Sequence, residues 1–379
     1  SAQDAHECIN TIYLDIDISK AFDTVSHSKL LTELYKVGIR GKLYLWLKSY
    51  LINRFQYVQV GSELSAQFPA SSGVPQGSKL GPKLFLVFMN DIEKVLTYLL
   101  IKLFADDAKL YYIFRVGTDL NVVQSDLDKV LQWSLDKELR LAFDKCFSMH
   151  IGHNNPCRAY SFGTNEIVSV TTCRDLGVLV SGNLKFSDHC LSLATEGFQK
   201  VHLIYSHFYS RNINFMKSLF STYVKSKLMY ASEVWSPHYI RDIDIIERVL
   251  RLFTRRLPGL SNLPYMARLR ILEMKPLEEC RIIADLTLVY KIIHGLVKLK
   301  FNDFFQYAPD SRTRGNTYKL AVNRSSLDCR KYFFSNRVVP IWNSLDDTIV
   351  CSQNLFQFKR RVTELRFLRF CRGSSIFAE

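Results

Sequence analysis

IKLFADDAKLYYIF, residues 101–114, reads as strand, tight turn, strand, with Asp106 and Asp107 at the turn. Apolar β-type residues flank the two acids on both sides. An isolated acidic pair at a turn is usually just solvated. Here the chain upstream offers a second acid in similar company. TIYLDIDI (residues 11–18) alternates tightly between apolar and acidic positions and predicts another strand, carrying Asp15 and Asp17. A carboxylate within an apolar strand is costly unless something neutralises it. A hard divalent cation does so, since Mg²⁺ takes carboxylate oxygens together with substrate phosphate. Two ions roughly 3.5–4 Å apart need at least two carboxylates brought together from neighbouring strands.

Outward from these strands the pattern is mixed. A helix is predicted from about Ser28 to Val37, with Leu30, Leu31, Leu34 and Tyr35 on one face and Gly38 as its stop. A second amphipathic helix carries Leu43, Trp46, Leu47 and Tyr50. FQYVQVG (55–61) alternates with period two and predicts a strand. SSGVPQGSKLGP (71–82) is a loop that opens into an apolar helix near Pro82, a favoured first-turn residue. Residues 119–139 look helical, 142–186 return to short strands, and the chain beyond Leu191 is mostly helical. The polar stretch 311–323 is the best late boundary. This order predicts an α+β fold, an antiparallel sheet with packed helices, followed by an α-rich region.

Composition narrows the function classes. Hydrophobic residues make up 47% of the 379, enough for a substantial core. The formal net charge of +14 suggests a polyanionic partner, most simply nucleic acid. No apolar run reaches the ~18 residues that span a bilayer, so a membrane partner is not expected. Nine cysteines without a CxxC pair fit free thiols. His150, His153 and Cys157 are spaced like metal ligands, but a fourth ligand is missing.

DIDIIERVLRLFTRRLPGL (242–260) adds an independent signal. At ~100° per residue Ile246, Val249, Leu250, Phe253 and Leu257 form one stripe and Arg248, Arg251 and Arg255 the opposite one. Such a helix packs on a core while presenting guanidinium groups to phosphates.

Three segments in order, LDIDISKAFDTVSH (14–27), SGVPQGSKLGP (72–82) and FADDAKLY (104–111), resemble motifs A, B and C of reverse transcriptases. The likeness is nearest to those of non-long-terminal-repeat (LINE-type) retrotransposons. It continues through DKCFSMHIG, RDLGVLVSGNLKFSDH, YASEVWSP and the basic helix, from about Thr11 to Leu296, and more faintly through RVVPIWNSL. The resemblance implies a right-hand polymerase palm over 1–191, a helical thumb-like region over 192–310, and a basic C-terminal extension over 311–379.

It also implies roles. Asp17, Asp106 and Asp107 would be the metal ligands for two Mg²⁺, with Mn²⁺ a possible substitute, and the Ile18 carbonyl would lie near the metal. By position alone, Asp15, on the strand face of Asp17, is read as a support behind the metal ligands or as structural, and Asp23, near the strand-to-helix turn, as a cap or local ion-pair partner. Phe22 would gate against a ribose 2′-hydroxyl. Gln76 would contact the incoming nucleotide, and Gly73 and Gly77 would give the loop its positive-φ geometry. Lys145 would donate a proton to pyrophosphate; Ala142 stands where the family has asparagine. The implied partners are an RNA template, a DNA primer and deoxynucleoside triphosphates. The implied setting is a longer polyprotein with upstream fingers and an endonuclease, acting in a cytoplasmic ribonucleoprotein and the nucleus. The competing expectation is a truncated remnant that holds nucleic acid without turnover. A group II intron or telomerase-type enzyme is disfavoured by YASEVWSP onward.

Overall fold

The computed structural model describes residues 7–15, 22–104, 107–139, 141–309, 316–325 and 327–374. Asp17, Ile18 and Asp106 lie outside these described residues. The chain divides into two compact units, Ser1–Thr172 and Cys173–Glu379.

The first unit is built on a six-stranded sheet. Its strands are β1 (Glu7–Asp15), β6 (Leu100–Phe104), β7 (Asp107–Arg115), β8 (Phe147–Ile151), β9 (Tyr160–Phe162) and β10 (Asn165–Ser169), in the order β6-β7-β1-β8-β10-β9. All neighbours run antiparallel except β8 and β10, which are parallel. The hairpin expected over 101–114 is present as β6 and β7. Burial alternates along β7: Ala108 and Leu110 are buried, whereas Asp107 is exposed and Lys109 half-buried. Along β7 one face is therefore packed and the other more open, as period-two side chains dictate.

The packed face is covered by α1 (His27–Lys36), α2 (Gly41–Leu51), α3 (Gly81–Met89) and α4 (Asn121–Lys137). Ile12 and Leu110 of the sheet share one core with Leu30, Leu34, Phe85 and Leu127. Burying each such side chain stabilises by roughly 1.5–3 kcal/mol. Asp126 of α4 is fully buried, and its Oδ2 accepts the N–H groups of Thr97, Tyr98 and Leu99 at 2.6–2.9 Å. That carboxylate ties the chain entering β6 to the helix beneath it.

Two expectations in this unit need correction. FQYVQVG is not one strand. β2 (Arg54–Gln56) pairs with β5 (Phe68–Ala70), and β3 (Gln59–Val60) pairs with β4 (Glu63–Leu64), with a break at Tyr57 and Val58. Val60 and Leu64 are exposed, so no core lies behind the second ladder to keep the strand straight. On α2, Leu47 is buried but Leu43 and Trp46 are 54% and 53% exposed. The apolar stripe there is wider than the surface it packs on.

The second unit is mainly helical. β11 (Thr172–Asp175) and β12 (Val178–Ser181) form a two-stranded ribbon ahead of α5 (Ser187–His207). Val178 and Cys190 join the core of this unit. Most of residues 173–191, grouped with the sheet region in the sequence reading, thus pack with the helices. α6 (Ile213–Leu219) passes through a π-helical turn at Phe220–Lys225. The longer helices that follow are α7 (Ile240–Arg255), α8 (Leu277–Ile293) and α9 (Leu355–Glu364). Leu320, Trp342 and Phe358 lie in the same core as Phe253 and Leu286, so the tail is not a separate body. Among the described residues no helix is long and apolar enough to cross a membrane. All nine cysteines are free.

Candidate active site and basic helix

The site begins at the end of the β1–β7 ladder. Its last pair sets Asp15 opposite Asp107, and Asp107 is also paired with Phe104 of β6. An antiparallel register lines up acid-bearing positions from two strands that are 92 residues apart in the sequence. Asp107 is exposed, and its carboxylate has neither an ion pair nor a hydrogen bond among the described residues. Two residues along the same face, the Lys109 ammonium lies 5.1 Å from the Tyr13 ring, and Tyr13 stacks on Phe147 at 4.7 Å. Sequence reasoning passed over these three. The alternation on β1, β7 and β8 could have found them, once the pairing of the strands was known.

The donors on offer here are hard carboxylate oxygens, which suit Mg²⁺ or Mn²⁺ rather than a soft metal. The register at Asp107 fits that chemistry. Asp17 and Asp106, the other expected ligands, lie outside the described residues. Among the described residues no cluster of three His, Cys, Asp or Glu side chains could hold a metal. That includes the His150–Cys157 stretch, where His150 instead meets the Asn10 Oδ1 at 2.9 Å and is held below the usual histidine range by burial.

Beside the sheet, the 72–78 loop is fastened to the segment 22–27 by its own backbone. Gly73 N–H donates to the Val25 carbonyl at 2.8 Å, and Val74 N–H to the Phe22 carbonyl at 2.7 Å. Ser72 Oγ donates to the Asp23 carbonyl at 2.7 Å. The Gly73 carbonyl is bonded to His27 Nε2 at 2.7 Å and to the Arg54 guanidinium at 3.2 Å. His27 and Arg54 are missed by sequence reasoning, since nothing local marks them. Gly73 has φ +84°, and a Cβ there would stand 2.7 Å from Asp23 Cα and from the Phe22 carbonyl oxygen. Gly77 also has positive φ, +77°, but open space around it.

Phe22 is half-buried and stacks on Phe85 of α3, with centroids 4.8 Å apart and planes 22° apart. Gln76 is exposed, and its Nε2 donates to Asp23 Oδ1 at 2.9 Å. Lys145 ends a 3-10 turn, Phe143–Lys145, that packs beside β1; it is exposed.

In the second unit the apolar stripe of α7 is as expected: Ile246, Val249, Leu250 and Phe253 are fully buried, and Leu257 nearly so. The arginine stripe is uneven. Arg248 is exposed and pairs with Asp244 one turn back at 2.6 Å. Arg251 is only 24% exposed, lies 3.6 Å from Asp244 and caps the Tyr265 ring at 5.1 Å. Arg255 is exposed. Arg248 and Arg255 can thus meet a phosphate directly, whereas Arg251 is turned toward its own fold. Glu247 on the same helix is buried and accepts the Leu277 N–H and the Tyr265 hydroxyl, and burial raises its carboxyl above the usual range.

Residues 3–180 match the protein family described as reverse transcriptase (RNA-dependent DNA polymerase). The RNA-directed DNA polymerase from mobile element jockey of Drosophila melanogaster is 31% identical over 187 residues, covering 47% of this chain and 20% of that protein. The probable RNA-directed DNA polymerase from transposon X-element of the same fly is 27% identical over 270 residues, covering 67% of this chain and 29% of that protein. The chain therefore spans less than a third of the length of these curated relatives. A solved telomerase from Candida albicans, complexed with a fragment of telomeric RNA, aligns over 71% of this chain and 51% of its own. Its TM-score of 0.38 at 10% identity is too low to bear on the fold.

Proposed function

We propose that this chain, whose residues 3–180 are a LINE-type retrotransposon reverse transcriptase region, extends a DNA primer on an RNA template. The observation that supports this best is the β1–β7 register, which ends with Asp15 opposite Asp107.

In this reading the sheet of the first unit is the polymerase palm and the helical unit begins the thumb. Asp17, Asp106 and Asp107 would hold two Mg²⁺ ions, for which Mn²⁺ could substitute, and the Ile18 carbonyl would be a further group near them. When bound, such ions favour ionisation of a primer 3′-hydroxyl and offset charge on the departing pyrophosphate. Phe22, braced by Phe85, excludes a ribose 2′-hydroxyl from the nucleotide site. Gln76 and the Gly77 backbone approach the incoming deoxynucleoside triphosphate and template. Releasing Gln76 from Asp23 for that purpose costs about 1 kcal/mol, the net worth of an ordinary hydrogen bond. Lys145 donates a proton to pyrophosphate. Arg248 and Arg255 meet the phosphates of the primer–template duplex. Upstream fingers and an endonuclease belong to the longer polyprotein that the relatives' length suggests. A cytoplasmic ribonucleoprotein and the nucleus are the corresponding places of action.

The test is Mg²⁺-dependent extension of a DNA primer on RNA, by this chain and by a longer chain carrying the upstream residues. Asp106→Ala with Asp107→Ala should abolish it. Unchanged extension refutes the assignment. Salt-sensitive RNA binding with no extension by either chain supports the remnant reading instead.

A further inference from the structure

The helical unit contains a cavity of about 640 Å³ that the polymerase reading does not use. Five lysines line it: Lys217, Lys225, Lys275, Lys291 and Lys359. They come from α6 and its π turn, the segment before α8, α8 itself and α9. The only acids among the lining residues are Glu233 and Glu273. Lys275 is neutralised by the buried Glu279 at 2.9 Å. Lys217, Lys291 and Lys359 have no ion pair among the described residues. Gathering ammonium groups around one hollow costs Coulomb energy that dispersed surface lysines avoid. A bound polyanion recovers it.

The wall is also built to aim them. Lys217, Ser221, Lys225 and Met229 all face the hollow at four-residue intervals. In a regular α-helix each such step drifts ~40° around the axis, so the line would turn away over three steps. The π-helical turn at Phe220–Lys225 is wider and takes back part of that drift. Met229, Ile283, Ala284 and Leu288 give the lining an apolar part as well. Lysines beside apolar side chains offer a phosphodiester its charge partners and a base an apolar surface. The volume suits one or two nucleotides and is too small for a duplex.

We infer that this cavity binds single-stranded nucleic acid, at a site separate from the carboxylates in chemistry and in sequence. The inference goes beyond the polymerase reading, and its readout is binding rather than extension. The probe is a labelled, unstructured single-stranded RNA of about twelve nucleotides. Anisotropy of the full chain is followed from about 50 to 200 mM salt. Lys217→Gln, Lys291→Gln and Lys359→Gln together should lower the salt slope by about 2 and weaken binding about 100-fold at ~0.1 M salt, from ~0.7 per strand contact. The charge-matched triple Lys298→Gln, Lys300→Gln and Lys331→Gln, outside the cavity, should change the slope by less than half as much.

Equal losses in the two triples, or none in either, overturn the inference. So does a cavity triple that loses duplex RNA, or vesicles of about 30% phosphatidylserine in phosphatidylcholine, while keeping the single strand. Asp106→Asn with Asp107→Asn should lose extension yet keep the binding slope, which separates failure of this site from failure of the polymerase reading. Thermal melts matching the parent chain confirm that each triple is folded.

Discussion

Gly73→Ala and Gly77→Ala form a matched pair that isolates the clamp between the 72–78 loop and residues 22–27. Both glycines have nearly the same backbone, φ +84° and +77°. An alanine in that region costs about 1–2 kcal/mol, and the less flexible unfolded chain returns about 0.4–1 kcal/mol. Gly77→Ala should therefore destabilise by about 1 kcal/mol, since nothing lies within 4 Å of the new methyl. At Gly73 the methyl would stand 2.7 Å from Asp23 Cα and the Phe22 carbonyl oxygen and 2.8 Å from the Asp23 carbonyl oxygen. All three are backbone atoms, so no side chain can swing aside. Overpacking of this kind adds about 1–3 kcal/mol, for a total of about 2–4 kcal/mol.

The shift also strains the bonds from Gly73 and Val74 to Val25 and Phe22. Urea unfolding should rank the variants, with hydrogen–deuterium exchange on peptides from residues 7–172 to separate this unit from the other. The Val74 amide should lose protection in Gly73→Ala and keep it in Gly77→Ala. Primer extension should fall more steeply in Gly73→Ala than its loss of folded protein explains, because the clamp sets where Phe22 stands. Variants within about 0.5 kcal/mol of one another, or equal Val74 protection, refute the argument.

Phe22→Ala should raise the ratio of ribonucleotide to deoxynucleotide incorporation, and an unchanged ratio removes Phe22 as the gate. Asp126→Ala should destabilise the first unit by about 3–5 kcal/mol, since the N–H groups of Thr97, Tyr98 and buried Leu99 lose their acceptor together and Lys129 loses its ion-pair partner; a cost below about 1 kcal/mol in urea unfolding contradicts this. His189 gives a pH signature. It is 3% exposed, and its Nδ1 accepts the Leu179 N–H at 3.1 Å. Burial first, then Arg174 and Lys227, push its pKa down to about 4. The unfolded chain protonates first as pH falls, so this contribution is complete above pH ~6.5 and is lost between ~6.5 and about 4. His189→Asn, which keeps an acceptor for Leu179, should lower stability at pH 7.5 yet remove about 2 kcal/mol of the loss between pH 7.5 and 5. An unaltered pH slope counts against this.

Local pattern determined much of this protein. The hairpin around Asp106 and Asp107, the helix over Leu30–Tyr35, the helix opening at Pro82 and the buried stripe of α7 follow from periodicity and turn chemistry. These act within a few residues, so the sequence displays them directly. Motif order pointed to the reverse transcriptase family that residues 3–180 match, and to the acids to consider. Tertiary structure decided what depends on partners distant in the chain. Alternation in FQYVQVG could not tell that two short ladders would divide it. An apolar stripe on α2 could not tell that Leu43 and Trp46 would stay more than half exposed. Arg251 looked like Arg248 and Arg255 on a helical wheel, but Asp244 and Tyr265 draw it inward. The opposition of Asp15 and Asp107 is likewise a matter of register. Strand spacing of a few ångströms brings together positions 92 residues apart, and only the pairing of β1 with β7 says which ones.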